Sequence, residues 1–318
     1  MRRILAPVLA SVLLLAACGG GGGEEEAASG ISIDTKFGSV EVPKDPKKVV
    51  ALGWGDAETA LALGVQPIGA SDWVEFGGKG VGPWAEDLYD QAPEIIDTME
   101  PDFEKIAALE PDLILDTKSS GEQERYDRLS EIAPTVGAPE GGDNYLTTMD
   151  QQVNLVSQAL GKEDEGKKVL GELDKKYEAA RKAHPEFDGK SVSVAAKTSE
   201  GWGAYVEGSE RVQFMEQLGF KQSEKVAALK PEGFTATVSE EKLDDLDADL
   251  LVAFPIYIPD TEVTKDAAFK RIPAVEDGRS LVLTEDLNDV RQAFSLNSVL
   301  SASFAAEKMP DLVADKVK

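Results

Sequence analysis

The sequence contains few of the side chains that most often perform chemistry at neutral pH. Its 318 residues include one cysteine, Cys18, and one histidine, His184. A single cysteine excludes a disulfide within the chain, and the position of Cys18 near the N-terminus does not suit a catalytic thiol. No Cys/His cluster offers a metal site, and no Ser-His-Asp arrangement can be built around His184. We therefore predict a binding protein, not an enzyme.

Basic residues are also scarce. Lysine and arginine total 33 against 59 aspartates and glutamates, for a formal net charge of -26. Such acidity argues against a nucleic-acid partner and against electrostatic docking on anionic lipid. Glycine-rich phosphate loops are missing as well, because Gly53-Trp54-Gly55 matches neither nucleotide-binding fingerprint. No intrinsic cofactor or metal site is expected.

The N-terminus has the features of a secretion signal. Arg2 and Arg3 precede an apolar stretch, residues 4–17, that is too short for a membrane span. Leu15-Ala16-Ala17-Cys18 resembles the bacterial lipobox, so we expect residues 1–17 to be a lipoprotein signal peptide and Cys18 to carry the lipid. An ordinary signal peptide with a chance cysteine is the alternative. Residues 18–30, rich in glycine and glutamate, read as a flexible tether on the outer face of the cytoplasmic membrane.

A strand–loop–helix unit at Lys48–Leu63 organises the first half of the chain. The apolar run Val49–Leu52 predicts a strand buried on both faces, and Asp56 is placed to cap the following helix. Trp54 then lies at the carboxyl end of that strand, which is where ligands bind in open α/β sheets.

The second half echoes the first. We expect a strand at Ser191–Ala196 followed by a loop at Gly201-Trp202-Gly203. Glu104–Ile114 aligns with Glu241–Leu251, and each is predicted to be a short helix that runs into a buried strand. This repetition predicts two Rossmann-like α/β lobes with central, parallel-type sheets, residues 31–160 and 186–318, around a shared cleft.

One long helix joins the lobes in this interpretation. Glu163–Ala183 carries an apolar stripe and ends at His184-Pro185, so residues 161–185 are predicted to form a rigid connection about 30 Å long. Val290–Lys308 is predicted to be one terminal helix. We expect a monomer whose lobes move little.

Aromatic and arginine side chains near the strand ends are the candidate ligand contacts. For each aromatic residue, a place in the core is the competing interpretation. Arg291 sits in the first turn of its helix, where a cation suits the dipole poorly, so it is either a ligand contact or a solvated side chain. The candidates are Trp54, Trp73, Trp84, Trp202, Tyr205, Arg211, Tyr257 and Arg291.

Three segments carry a resemblance to a known family. They are Pro101-Asp102-Phe103-Glu104-Lys105-Ile106, Leu109-Glu110-Pro111-Asp112-Leu113-Ile114 and Ile132-Ala133-Pro134-Thr135-Val136, with support from Lys48–Leu52, Glu58 and Leu63-Gly64. With these segments, residues 31–318 resemble the substrate-binding lipoproteins of ferric-siderophore and cobalamin ABC importers, the helical-backbone class III type. The nearest similarity is to actinobacterial iron-siderophore receptors.

The resemblance implies a ligand and a partner. The ligand would be a ferric siderophore whose chelator supplies all the iron ligands, and the partner an ABC permease. Few arginines lie near the predicted cleft, which favours a hydroxamate or mixed chelate over a highly anionic catecholate. Haem or cobalamin is the alternative ligand; haem could be ligated only by tyrosine.

Permease docking in this family uses one surface glutamate per lobe, and the matching positions are Glu104 and Glu241. Glu240 is an alternative to Glu241, and a carboxylate favoured by the helix dipole is the competing interpretation of both. An enzyme of similar fold and a sensor or adhesion lipoprotein are the rival classes.

Overall fold

The computed structural model describes residues 30–317. The predicted signal peptide, Cys18 and most of the tether lie outside the described residues. Within the described part, no helix has the length and hydropathy needed to cross a bilayer.

The first half of the chain folds into a hairpin and a parallel sheet. The sheet order is β5-β4-β3-β6-β7 with every neighbour parallel, while β1 and β2 pair antiparallel beside it. The strands are β1 (Ile31–Thr35), β2 (Gly38–Val42), β3 (Val49–Ala51), β4 (Gly69–Ser71), β5 (Glu94–Ile96), β6 (Leu113–Leu115) and β7 (Thr135–Val136). The helices are α1 (Asp56–Ala62), α2 (Phe103–Ala108), α3 (Gln123–Ser130) and α4 (Met149–Ala159).

Helices cover both faces of this sheet. Val49 and Ala51 of β3 belong to the core that includes α1 and α4, whereas Val50 belongs to the core that includes α2 and α3. Alternate side chains of one strand thus enter different cores, which explains why the strand reads as a continuous apolar run.

The second half forms a mixed sheet. Its order is β11-β9-β8-β12-β13, with β10 beside the start of β8; β9 pairs antiparallel with β8 and with β11, and the other pairs are parallel. The strands are β8 (Ser191–Thr198), β9 (Gly201–Tyr205), β10 (Lys221–Gln222), β11 (Thr235–Val238), β12 (Leu250–Pro255) and β13 (Ser280–Val282). The helices are α5 (Glu163–Ala183), α6 (Glu210–Gln217), α7 (Glu224–Ala227), α8 (Thr261–Thr264), α9 (Pro273–Glu276), α10 (Asn288–Leu296) and α11 (Val299–Ala314).

The long helix predicted between the sheets is α5, with the predicted ends. Leu173, Tyr177 and Ala180 form its buried stripe and pack into the core of the second sheet, while Val169 contacts the cores of both halves. Helix α5 therefore contributes to both hydrophobic cores. The two-lobed α/β architecture is confirmed, and the lobe boundaries at 31–160, 161–185 and 186–318 remain a prediction.

The single terminal helix predicted over Val290–Lys308 is wrong. The helical conformation is interrupted between α10 and α11 at Asn297, whose φ of 48° lies in the left-handed region. The Asn297 side-chain amide donates to the carbonyl of Glu210 at 2.9 Å, and Ser298 caps α11 by accepting from Ser301 N at 3.1 Å. Asn297 thus satisfies the Glu210 carbonyl, and Ser298 satisfies the Ser301 N–H in the first turn of α11. Both hydrogen bonds stabilise the interruption between the two helices.

A pair of aspartates repeats between the two sheets. The Asp112 carboxylate accepts the backbone N–H groups of Lys47 and Lys48, at 2.8 and 2.9 Å, where β3 begins. The Asp249 carboxylate accepts the N–H and hydroxyl of Ser191, at 2.8 and 2.9 Å, where β8 begins. Each aspartate precedes a buried strand and ties it to the neighbouring strand, which gives a structural reason for the repeat seen in the sequence.

Replacing Asp249 by alanine should lower the free energy of unfolding by about 2 kcal/mol, because two hydrogen bonds to a charged acceptor are lost. The hydrogen bond from the Ser191 N–H lowers the pKa of Asp249 in the folded state below its unfolded-state value of about 4. The stabilisation by the Asp249 carboxylate is therefore fully present above the unfolded-state pKa and is lost as the pH falls through the folded-state pKa. Urea unfolding at pH 7 and pH 3 measures this. Exposed Asp244→Ala is the control; equal losses in both variants would contradict the assignment.

Candidate ligand-binding cleft

A cavity of about 680 Å³ lies between the two sheets. The first half contributes the loop after β4, at Trp73–Glu75, and the second half contributes the loop after β12, at Pro255–Asp260, together with α10. These loops follow the carboxyl ends of parallel strands, the edge at which open α/β sheets bind ligands. We call this space and its continuation the cleft.

The cleft continues into a second cavity of about 470 Å³. Trp73, Glu75 and Tyr257 line both cavities, and the second is completed by Trp54 and the segment 95–99. A further cavity of about 690 Å³, lined by Phe103, Arg125 and Tyr145 among others, shares Met99 with the second. A bulky ligand thus has room along the joint edge of the sheets.

Trp54 sits in an aromatic stack at this edge. Its ring lies between Trp73, at a centroid distance of 4.3 Å, and Tyr145, at 3.9 Å, with the edge of Phe234 from the second half at 5.7 Å. Only 9% of Trp54 is exposed. The stack brings together aromatic rings from both halves of the molecule.

The glycines beside Trp54 allow close approach of other segments. A Cβ on Gly53 would lie 2.8 Å from the backbone nitrogen of Lys118, and one on Gly55, whose φ is 78°, would lie 3.0 Å from the Ser298 side chain. The Gly-Trp-Gly motif is therefore required by packing on both sides of the tryptophan.

Tyr257 crosses the cleft. Its side chain is 71% exposed, and its hydroxyl donates to the Trp73 carbonyl at 2.6 Å. The backbone has a φ of 53°, which is unusual for a bulky residue and is typical of functional loops. Trp73 and Tyr257, both predicted as ligand contacts, line the same cavity.

The two predicted arginines occupy different positions. Arg291 lines the cleft but is ion-paired with Asp260 at 3.4 Å and Glu285 at 2.9 Å. Arg211 is buried, with its guanidinium 4.5 Å from the Tyr205 ring centroid and 5.7 Å from that of Trp73. It lies behind Trp73 and outside the set of residues that line the cavities, and burial lowers its pKa.

Three other candidates do not line the two cavities of the cleft. Trp84 donates from Nε1 to both carboxylate oxygens of Glu58, at 2.9 Å each, and packs on Phe304. Trp202 is stacked on Phe269 at 5.1 Å in a core of the second half. Tyr205 lines neither cavity, but its buried ring stacks on Phe254, which lines the first cavity, and on Phe234 of the aromatic stack.

The expected loop at Gly201-Trp202-Gly203 is instead strand β9. In this strand Trp202 pairs with Lys197 of β8, and the two-residue alternation places Trp202 and Tyr205 on opposite faces of the sheet. The likeness to Gly53-Trp54-Gly55 is therefore local in sequence and does not extend to structure.

Asp56 was expected to cap α1 and does not. It is the first residue of the helix, and its carboxylate accepts from Thr117 N at 2.9 Å and from Gln152 Nε2 at 2.7 Å. Burial raises its pKa to about 6 against these hydrogen bonds. Asp56 thereby links α1, α4 and the loop after β6 beneath the aromatic stack.

Two buried polar contacts join the halves of the molecule. The Glu58 carboxylate, 1% exposed on α1, accepts from the hydroxyl of Ser298 at the start of α11. Burial raises the pKa of Glu58, and the hydrogen bonds from Ser298 and Trp84 oppose that rise.

The second contact is an ion pair between Lys118, after β6, and Glu210 at the start of α6; both side chains are almost fully buried. Burial lowers the pKa of Lys118, and the positive charge of Arg211 lowers it further. A buried charge is tolerated only with a partner, so this pair ties the loop of one half to the helix of the other.

Glu104 and Glu241 are both exposed on short helices. Glu104 lies in the first turn of α2, after the cap residue Asp102, and Glu241 lies in the first turn of the 3-10 helix Glu240–Leu246. Each helix precedes a central strand of its sheet, as the internal repeat predicts. Their role in docking remains a prediction.

Several cleft residues were missed from the sequence. Tyr145 precedes helix α4, which begins at Met149. Phe234 opens the alternating run Phe234-Thr235-Ala236-Thr237-Val238, whose last four residues form β11, so the sequence carries a strand signal there but no ligand motif. Glu75 and Asp260 follow strand ends in loops, but the overall acidity of the chain hid them. Position after a strand end is the signal that could have found Glu75 and Asp260.

Comparison with known proteins gives the family. The sequence profile of the periplasmic binding protein family matches residues 49–287, three quarters of the chain. The chain belongs to this family. Its members are substrate-binding proteins, and no group of three or more potential metal-binding side chains occurs in residues 30–317.

The chain is also similar in sequence to individual substrate-binding proteins. The chain is 32% identical over 258 residues to the probable siderophore-binding lipoprotein YfiY of Bacillus subtilis, 76% of each chain. It is 28% identical over 256 residues to the iron(3+)-hydroxamate-binding protein FhuD of the same organism, 76% of this chain and 75% of FhuD.

Among solved structures, PiaA of Streptococcus pneumoniae in complex with ferrichrome superposes with a TM-score of 0.77 at 26% identity, covering 90% of this chain and 98% of PiaA. The expected closeness to actinobacterial receptors remains a prediction.

Loss of the Lys118–Glu210 pair should weaken the junction between the halves. Lys118→Met should lower the free energy of unfolding by about 3 kcal/mol, because Glu210 is left buried and unpaired, and adding Glu210→Gln should restore part of the loss. Urea unfolding of both single variants and the double variant measures the coupling. Lys167→Met, which breaks an exposed pair, is the control. A Lys118→Met variant as stable as the control would contradict the assignment.

Proposed function

We propose that this protein captures an iron(III)-siderophore in the cleft and delivers it to an ABC importer. The observation that carries the proposal is the cleft itself, a two-part cavity between matched sheet edges with Trp73 and Tyr257 at its centre. Relatives named for siderophore and ferric-hydroxamate binding support the choice of ligand.

The side chains lining the cleft suit a ligand that brings its own iron donors. Aromatic rings cover the apolar surface of a chelator, and a hydroxamate complex, whose iron centre carries no net negative charge, needs no cluster of arginines. Arg291, the arginine on the wall of the first cavity, is already paired with two carboxylates. The protein binds and releases the complex without catalysing a reaction on it.

Delivery requires a location and a docking surface. In this proposal Cys18 carries a lipid that holds the monomer at the outer face of the cytoplasmic membrane. Glu104 and Glu241, one exposed carboxylate per sheet, contact the permease. Support comes from their matched positions on the helices before β6 and β12 and from relatives named as lipoproteins.

Tryptophan fluorescence of the purified protein should be quenched in a saturable way by a ferric hydroxamate, and less by its iron-free form. Trp73→Phe should weaken binding about tenfold, because it removes part of the cleft wall. Trp202→Phe, in a core of the second half that does not line the cleft, should leave the affinity unchanged. Catecholate complexes, haem and cobalamin complete the panel. Saturable binding of haem or cobalamin alone would replace the proposed ligand, and no response to any ferric chelate would reject it.

The docking surface can be tested separately in cells. Glu104→Lys combined with Glu241→Lys should abolish uptake of the radiolabelled ferric chelate while leaving its affinity for the purified protein intact. Glu178→Lys, an exposed reversal on α5, is the matched control. Uptake at the control level in the double variant would remove these two residues from the docking surface.

A further inference from the structure

The walls of the cleft are acidic. Five carboxylates line its two contiguous cavities, against one guanidinium, that of Arg291. The carboxylates belong to Asp72, Glu75, Asp97, Asp260 and Glu285. Concave sites lined by one sign of charge concentrate ligands of the opposite sign and repel those of the same sign.

The two arginines nearest these two cavities, Arg291 and Arg211, do not offset this field. Arg291 is paired with Asp260 and Glu285, so that group of three retains a net negative charge. Arg211 is buried behind Trp73, and its guanidinium donates to the carbonyl of Ser295 at 2.6 Å. Neither guanidinium is placed to receive an anionic ligand.

Glu75 is distinct among the five carboxylates. Asp72 and Asp97 accept backbone N–H groups of their own loops, at 2.7 to 3.0 Å. The Glu75 carboxylate is exposed, lines both cavities, and makes no hydrogen bond or ion pair with any other described residue. Its backbone N–H donates to the carbonyl of Asp72 at 3.3 Å. Its φ of 60° is left-handed, a conformation that the Asp72 turn around it maintains.

The ring of Tyr257 lines the same two cavities as Glu75. It is exposed and stacks on no other aromatic ring of the described chain. Burial raises the pKa of Tyr257, and the negative charges of Glu75 and Asp72 raise it further, which agrees with a negative field at this point. An open aromatic face beside an unpaired carboxylate is the pairing that binds an alkylammonium group.

We propose that the chelate taken by this cleft carries a net positive charge, through an ammonium group that contacts Glu75 and the face of Tyr257. The inference rests on the proposed function and narrows its ligand class. A ferric ion bound by three hydroxamates is neutral, so one ammonium arm makes the complex cationic. Carboxylate and catecholate complexes, which are anionic, would be repelled by the same walls.

A matched pair of ligands tests the charge directly. Ferrioxamine B is a linear ferric trihydroxamate with one terminal primary amine, and acetylation of that amine removes the charge while the iron site is unchanged. Calorimetric titration of the full protein with both complexes should give roughly fivefold tighter binding of the amine form at low salt, the range of a partly exposed ion pair. Raising the salt concentration should reduce the difference.

Glu75→Gln should remove the preference for the amine form, because it should weaken binding of that form more than binding of the acetylated complex. Glu178→Gln, exposed on α5 outside the cleft, should keep the preference. Equal binding of the two complexes, or a preference that survives Glu75→Gln, would overturn the inference and leave siderophore capture intact. Failure of the protein to bind ferric hydroxamates of either charge would overturn both.

Discussion

The buried polar junction between the two halves is the constraint on which the rest of the structure depends. Glu58 receives the hydroxyl of Ser298, and Lys118 pairs with Glu210, all four side chains being almost completely buried. Opening the halves would let water solvate these groups, so its cost is the loss of both polar contacts together with the apolar packing beside them, such as that of Trp84 on Phe304. Helix α5 also contributes side chains to the cores of both halves. The polar junction and α5 therefore both hold the two sheets in their relative position.

A fixed junction explains how the cleft is prepared for a ligand. The loops after β4 and β12 face each other because the sheets cannot rotate freely, and Tyr257 can therefore reach the Trp73 carbonyl across the gap. Trp54, stacked between Trp73 and Tyr145, supports one wall from beneath. Such preorganisation lowers the entropic cost of binding and lets specificity reside in a few loop side chains.

The sequence predicts features that depend on local pattern. Continuous apolar runs predict β3 and β12. An apolar stripe that ends at His184-Pro185 predicts α5 with its observed bounds. The repeat that pairs Asp112 with Asp249 reflects their shared role at strand starts. Features that depend on long-range partners were missed. The likeness of the motif around Trp202 to that around Trp54 could not reveal an antiparallel hairpin, and the break at Asn297 depends on a carbonyl 87 residues away.

Crystals of the protein grown with a ferric hydroxamate, measured at the iron absorption edge, test the central claim most directly. The account predicts one anomalous peak between the Trp73 and Tyr257 side chains, with the two sheets related as in the free structure. An iron peak outside the cleft would contradict it, and so would a complex in which Lys118 and Glu210 are no longer paired.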